Sequence, residues 1–252
     1  MTESAYHLIY TLKDNVFNFK KSIKFYCSLP EIKEKYPIIP ARNFHPSWAK
    51  QSAHAYKALV KNTSQFSRTT GTIKCPGIKD ICSKGYILTS WFDISILTTS
   101  NPIEFQYAVP QGLPEYLKTR NFNKDLIKWF SGDVPQVSIP LPASSLQTLL
   151  KISTPWVASI PKGWSLMIMP IPYPDEPEFT CTHGLLESGD FYEINPIISI
   201  HKRPGEVLIK AGTPLCQLVP MNTDTIDVEI LDYDSSIEKK EQVWNYNAVH
   251  RF

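Results

Sequence analysis

The sequence lacks a long apolar run, a strong net charge and a secretory leader, and each absence removes a class of protein. It has no run of about 18 apolar residues, so it predicts no membrane-spanning helix. The formal net charge is only +2, which indicates binding neither to nucleic acid nor to a membrane surface. Residues 1–7 lack a basic start followed by an apolar segment, so we expect a cytoplasmic protein.

Glycine is scarce relative to proline, with 10 glycines against 21 prolines. Proline interrupts helix interiors and central strands, so we expect short strands, many turns and few long helices. Hydrophobic residues make up 42% of the chain and charged residues 20%, as in a folded globular protein rather than a disordered one. Ile, Lys, Asn, Tyr and Phe are abundant, which is typical of viruses and bacteria with AT-rich genomes.

The five cysteines are odd in number and widely spaced, and without a secretory leader we expect them to be reduced. Cys181, His183 and Cys216 are residue types that zinc accepts as ligands. No second close pair completes a metal-binding pattern, and the alternative is two core thiols and a histidine in a turn. The sequence therefore predicts no metal site and no cofactor, with these three residues as the weak candidates.

Short segments with strand character recur along the chain and are separated by turn signals. They lie at residues 23–27, 86–96, 103–109, 146–156, 164–169, 179–181, 192–201, 207–209, 214–221 and 226–231. Helices are predicted at 48–60, with Ser47 as N-cap, at 123–130 and from 235 onward. Many short strands with regular turns indicate a mainly β sandwich or barrel.

We expect one domain over residues 1–252. Residues 155–231 form its β core, residues 1–150 add strands, arms and short helices, and residues 235–252 form a C-terminal helix and tail.

Residues 37–50 form a proline-rich segment that mixes aromatic and basic side chains. Arg42, His45 and Trp48 are candidate ligand-binding residues here, together with Lys74 and His183 elsewhere in the chain. The alternative, which we favour, is an extended arm that packs Phe44 and Trp48 across the body of the protein.

Three motifs in order resemble a known family. Gly184-Leu-Leu-Glu187-Ser-Gly189-Asp190 is followed by Glu193-Ile194 and Asn195, Gly212-Thr-Pro-Leu-Cys-Gln-Leu218 lies downstream, and Pro161-Lys-Gly163 lies upstream. Over residues 155–221 this order resembles the trimeric dUTP pyrophosphatases and the related dCTP deaminases. The resemblance implies a dUTPase-like β-clip or jelly-roll barrel, and it makes a homo-oligomer an expectation.

The chain departs from this family at its chemistry. Glu187 stands where the family has the aspartate that orients the attacking water. Met169-Pro-Ile-Pro172 stands where the family has an Arg-Ser-Gly phosphate motif, although a triphosphate needs cations or backbone N–H donors. The glycine-rich C-terminal arm of the family is absent. We therefore expect a non-catalytic binding or structural protein. The alternative is an enzyme acting on a nucleotide or other small ligand, with Glu187 and Asp190 as acid and base.

The whole chain also resembles a group of phage and bacterial proteins of undetermined function. This resemblance implies no particular activity. The shared segments are Pro40-Ala-Arg42 with Pro46-Ser-Trp-Ala-Lys50, Lys74-Cys-Pro76 with Gly85-Tyr-Ile87, and Lys210 to Pro214. This resemblance and the AT-rich composition predict a phage-encoded protein of the host cytoplasm or virion. The expected partners are protein chains, either further copies of itself or virion proteins, because aromatic residues and proline-rich arms suit packing against other chains.

Overall fold

A computed structural model describes residues 22–62, 75–130, 139–175, 178–225, 228–230 and, near the C-terminus, 237, 239, 240, 242 and 243. The chain divides into two compact units, Met1–Asn222 and Thr223–Phe252. The first unit contains all the sheets described below. In the second unit the five described residues from 237 to 243 are helical, while the rest of the predicted helix lies outside the described residues. The predicted strand at 226–231 is described only at residues 228–230, which are not in a strand.

The described residues form fifteen strands in four antiparallel sheets. Sheet A has the order β1 (Lys24–Cys27), β8 (Trp156–Ile160) and β12 (Gly189–Glu193). Sheet B has the order β11 (Gly184–Leu186), β9 (Trp164–Met169), β15 (Pro214–Asn222), β3 (Tyr86–Thr89) and β2 (Ile39–Pro40). Sheet C has the order β14 (Gly205–Ile209), β4 (Ile94–Thr98) and β5 (Phe105–Ala108). Sheet D has the order β10 (Phe179–Cys181), β13 (Ile197–Ile200), β7 (Leu149–Ile152) and β6 (Ile127–Phe130).

Helices in the described part of the first unit are short and connect strands. They are α1 (Pro30–Lys35), α2 (Ser47–Asn62), α3 (Pro76–Ser83) and α4 (Leu113–Thr119), and a 3-10 turn spans Ala41–Asn43. Prolines begin α1 and α3 at their first helical positions, where the missing N–H has no intrahelical partner to lose. No described helix is long and apolar enough to cross a membrane.

One hydrophobic core receives side chains from all four sheets. Alternate strand residues point inward, as the two-residue period of a strand requires. The inward residues include Ala158 and Ile160 of sheet A, Leu166 and Leu218 of sheet B, Ile94, Ile96 and Val207 of sheet C, and Leu150, Ile152 and Ile198 of sheet D. Each buried Ile or Leu stabilises the fold by about 1.5–3 kcal/mol relative to leaving it exposed. The four sheets therefore form one packed body.

The prediction of a mainly β protein with a few short helices is confirmed. The described strands form four open sheets, and none of these sheets closes on itself into a barrel. The strand predicted at 23–27 is confirmed as β1, with Phe25 and Cys27 turned toward the core and Lys24 and Tyr26 exposed. The helix predicted at 48–60 is confirmed as α2.

The single strand predicted at 86–96 is instead two strands, β3 and β4. Ser90 follows the first, and its N–H donates to the carbonyl of Thr213 while its carbonyl accepts from the N–H of Gly212. Its hydroxyl donates to the carbonyl of Phe92. Trp91 and Phe92 are then both buried, with their rings in edge contact. The alternation that the sequence suggested therefore fails between the two strands.

The helix predicted at 123–130 is wrong. This segment contains β6, whose residues Ile127 to Phe130 pair with β7 from Ile152 to Leu149. The carbonyl of Asp125 also accepts the Ser153 hydroxyl proton at 2.6 Å. Long-range pairing decides the conformation here, and tertiary context commonly overrides local helix propensity.

Candidate functional site

The predicted ligand-binding residues Arg42, His45 and Trp48 lie on the segment that leaves sheet B at its β2 edge. Arg42 is in the 3-10 turn and exposed, His45 follows it and is exposed, and Trp48 is half-buried in the first turn of α2. Lys74 lies outside the described residues. The structure therefore places the first three candidates along one stretch of surface.

Trp48 is held by the loop that follows β9. Its indole Nε1–H donates to the carbonyl oxygen of Tyr173 at 2.7 Å. The two rings lie 6.0 Å apart and are inclined at 80°. Tyr173 has a φ of 51°, a left-handed conformation that is rare for a large side chain. This backbone geometry leaves the Tyr173 ring 54% exposed beside the indole.

Asp175, in the same loop, caps helix α2. Its carboxylate accepts the backbone N–H of Ser47 at 2.8 Å and that of Trp48 at 3.2 Å. These groups have no intrahelical partner, and a carboxylate also interacts favourably with the positive end of the helix dipole. The hydrogen bond from the Ser47 N–H is the main cause that lowers the pKa of Asp175. The N-cap acceptor is thus 128 residues from Ser47 in sequence, whereas the sequence predicted Ser47 itself.

A cleft of about 560 Å³ opens between α2, α3 and this loop. We call it the Trp48 cleft. It is lined by Trp48 and Gln51 from α2, Ile78 from α3, and Tyr173, Pro174 and Asp175 from the loop. Its volume lies in the range of small-molecule sites, which are mainly apolar with a few polar groups. The sequence singled out Trp48, but nothing near it in the chain pointed to Tyr173 or Asp175.

The predicted acid–base pair lies on the outside of the molecule. Glu187 is exposed in the turn between β11 and β12, and Asp190 is exposed on β12. The Asp190 carboxylate accepts a hydrogen bond from the Ser159 hydroxyl of the neighbouring strand β8. His183, which precedes β11, is also exposed.

Glu187 and Arg42 lie beyond opposite edges of sheet B. The strand register aligns Pro40 of β2 with Tyr86, Leu218, Ile168 and finally Gly184 of β11. Neighbouring strands are about 4.8 Å apart, so four spacings separate these edges by roughly 19 Å. Arg42 follows the first strand of this row and Glu187 follows the last. The structure therefore does not bring the two predicted groups together.

Two of the three candidate metal ligands meet, and the third does not. Cys181 of β10 and Cys216 of β15 are both buried. A hydrogen bond with the Cys181 thiol and complete burial raise the pKa of Cys216 well above its ordinary value. His183 lies outside the core, two residues beyond Cys181. Over the part of the chain that is described, no group of three or more His, Cys, Asp or Glu residues is placed to hold a metal ion.

Aromatic side chains at the edges of sheets C and D contact each other. We call Phe105 and Tyr107 of β5 with Trp129 of β6 the edge patch. The Trp129 ring lies 5.9 Å from that of Phe105 and 6.4 Å from that of Tyr107. Trp129 is 55% exposed and Tyr107 41%, while Phe105 packs partly against the core. The sequence predicted the strand that carries Phe105 and Tyr107, but the wrong helix at 123–130 concealed Trp129.

Comparison with known proteins gives matches among solved structures only. No family profile matches this chain, and no curated protein matches it. The dUTPase of phage phi11 of S. aureus matches at 11% identity with a TM-score of 0.26, over 44% of this chain and 99% of the other. The dUTPase of Staphylococcus bacteriophage 80alpha, in a structure with dUpNHpp, matches at 10% identity with a TM-score of 0.26, over 44% of this chain and 100% of the other.

A second structure of the 80alpha phage dUTPase matches at 12% identity with a TM-score of 0.25, over 45% of this chain and 93% of the other. These proteins are members of the family that the sequence motifs resemble.

Proposed function

We propose that this chain is a non-catalytic binding protein that recognises another protein chain through the edge patch. The observation that carries the proposal is the exposure of Tyr107 and Trp129, whose rings lie 6.4 Å apart. Soluble proteins rarely leave large contiguous apolar surface in water without a use for it. Tyr, Trp and Phe are also enriched at the centres of protein interfaces.

The position of the edge patch supports the same proposal. Within the described residues β5 pairs only with β4, and β6 pairs only with β7, so each strand is the edge of its sheet. An edge strand presents unpaired N–H and C=O groups that a strand from another chain can pair with. Backbone pairing along either edge would place the partner beside the aromatic rings.

The placement of the acidic residues does not favour the enzymatic alternative. Glu187 and Asp190 are exposed, and roughly four strand spacings separate Glu187 from Arg42. Catalysis on a phosphate ester needs cations or N–H donors close to the reacting groups. The loop after β9, where the resembling family binds phosphate, instead carries the carboxylate of Asp175.

A further copy of this chain is the partner that we propose. The resembling family trimerises, and an apolar patch beside open strand edges suits a closed homo-oligomer. A phage-encoded protein that assembles with itself, or into a virion, is the role that we infer from these features together.

Sedimentation velocity over a range of protein concentrations tests the proposal. We expect the wild-type chain to form a defined oligomer and the Trp129→Ser variant to shift to monomer. Phe191→Ser is the matched control, because Phe191 is 68% exposed on β12 of sheet A, outside the edge patch, and its oligomeric state should not change.

A nucleotide-binding experiment gives the result that would contradict the proposal. A wild-type monomer whose melting temperature rises with a nucleotide, and loses this rise in Glu187→Ala, would contradict the proposal, since only a ligand that binds the native state stabilises it. That outcome would support the alternative, an enzyme that acts on a nucleotide or other small ligand.

A further inference from the structure

The Trp48 cleft combines two aromatic walls with one carboxylate. The indole of Trp48 and the phenol of Tyr173 stand at 80° to each other, so the two rings form the sides of a corner. The hydrogen bond from the indole Nε1–H to the Tyr173 carbonyl fixes this corner. Aromatic corners of this kind attract cations, because each ring face carries partial negative charge.

Asp175 is the charged residue among the described residues that line the cleft. The lowered pKa of Asp175 keeps its carboxylate ionised at neutral pH. Its two oxygens each accept one backbone N–H from α2, and the Ser47 side chain, which also lines the cleft, is a third partner. A carboxylate has about four acceptor positions, so one remains for a ligand. The helix end supplies only about half a positive charge, and the cleft therefore keeps net negative character.

We propose that the Trp48 cleft binds an organic cation, namely an alkylammonium or guanidinium group carried on an apolar body. The cationic group would lie in the corner of Trp48 and Tyr173 and donate hydrogen bonds to Asp175. Ile78 and Pro174 line the remaining wall and suit the apolar body. The Gln51 amide, which also lines the cleft, adds a neutral hydrogen-bonding group.

Other ligand classes fit the same residues less well. A hard metal ion needs about six oxygen ligands, whereas the described lining offers one carboxylate. An anion would meet the charge of Asp175, and the N–H groups of Ser47 and Trp48 already donate to that carboxylate. A neutral apolar ligand would leave the carboxylate without a new partner. The organic cation alone uses the rings and the charge together.

The size of the cleft indicates that its ligand is larger than a bare ammonium ion. About 560 Å³ is within the range that accommodates small organic ligands. The alkylammonium or guanidinium group can belong to a free amine or to the side chain of a lysine or arginine in a partner chain. A free amine and a blocked amino acid distinguish these two sources.

Titration followed by the indole N–H resonance of Trp48 tests this inference. The resonance is assigned by its loss from the spectrum of Trp48→Phe. We expect n-butylammonium and methylguanidinium to shift it saturably with Kd values in the millimolar range, as for weak single-group ligands. n-Butanol, the uncharged counterpart, and sodium chloride at equal ionic strength should leave it unchanged.

Charge removal provides the decisive variant. Asparagine is about as good an N-cap as aspartate, so Asp175→Asn should keep α2 capped while weakening cation binding about three- to fivefold. Asp93→Asn is the matched control, because the Asp93 carboxylate also accepts a backbone N–H, from Ala211 at 2.7 Å, and lies outside the cleft lining. Its Kd should equal that of the wild type.

Equal shifts by n-butanol and n-butylammonium, or an unchanged Kd in Asp175→Asn, would overturn the inference. The absence of any shift up to 100 mM cation, a range about tenfold above a 10 mM Kd, would do the same. A second titration uses N-acetyl-lysine-methylamide, a blocked lysine, to distinguish a protein side chain from a free amine. Tighter binding of the blocked lysine than of n-butylammonium assigns the cleft to a protein side chain, and the reverse order assigns it to a free amine.

Discussion

At the scale of single residues, the informative side chains are polar groups whose partners are distant in sequence. Asp175 caps a helix that begins 128 residues earlier. His201 lies with its Nε2 against the Thr180 hydroxyl and its Nδ1 against the Ser145 hydroxyl. Their environments come from the tertiary fold, because no local motif of the sequence marks either residue.

Burial lowers the pKa of His201 below its ordinary value of 6.5, which predicts a pH-dependent stability. A histidine whose folded pKa is depressed binds fewer protons in the folded state, so its stabilising contribution is present above pH 6.5 and is lost as pH falls. We expect the urea midpoint of the wild type to decrease from pH 7 to 5, and to decrease less in His201→Gln. His45→Gln, at an exposed histidine, is the control.

Acid groups affect this titration only at lower pH. The pKa values of Asp175 and Glu193 lie below ordinary values of 3.8 and 4.5, chiefly because of the Ser47 N–H and the Lys124 ammonium. Their contributions are therefore lost below about pH 4.5. Identical pH profiles for wild type and His201→Gln between pH 7 and 5 would contradict the assignment to His201.

At the scale of elements, buried polar contacts decide where helices attach to sheets. Gln217 is fully buried in β15, and its Nε2 donates to the carbonyls of Ile81 and Lys84 at the end of α3. Carbonyls at a helix C-terminus lack intrahelical donors. The side chain therefore joins α3 to sheet B.

Replacement of Gln217 should loosen α3. We expect Gln217→Leu to lower the free energy of unfolding by about 1–3 kcal/mol, because the carbonyls of Ile81 and Lys84 lose their hydrogen-bond donor. Amide hydrogen exchange in α3 should increase as well. Gln106→Leu makes the same chemical change at an exposed site on β5 and should cost less than about 0.5 kcal/mol. Equal costs for the two variants would argue against this role.

At the scale of the whole molecule, the shared core couples the four sheets. Cys181 of sheet D and Cys216 of sheet B contribute thiols to the same core cluster, and the Cys181 thiol is the main cause that raises the pKa of Cys216. Their exposure to solvent requires the sheets to separate. Cys75, by contrast, is exposed.

Thiol labelling in native conditions should therefore separate the cysteines by rate. We expect Cys75 to react with an uncharged maleimide without unfolding, and Cys181 and Cys216 to react only through global opening, since core groups open with the global free energy of unfolding. Mass spectrometry of labelled peptides gives each rate. Labelling of Cys181 or Cys216 as fast as Cys75 would show that this part of the core opens locally.

The sequence by itself determined the β class and the inward face of β1. Alternation identified that face because burial follows a two-residue period along a strand with one side on the core. The residues at Glu187 and Met169 to Pro172 could be compared with a family motif by position alone. These features depend on neighbours in the chain.

Only the tertiary structure decided which distant residues meet. It made 127–130 a strand, brought Tyr173 and Asp175 to Trp48, and set Arg42 and Glu187 at opposite edges of one sheet. Strand order, caps and clefts depend on contacts between residues that are distant in the chain, and a local period carries no information about such pairs. The edge patch depends in the same way on ring contacts between two different sheets.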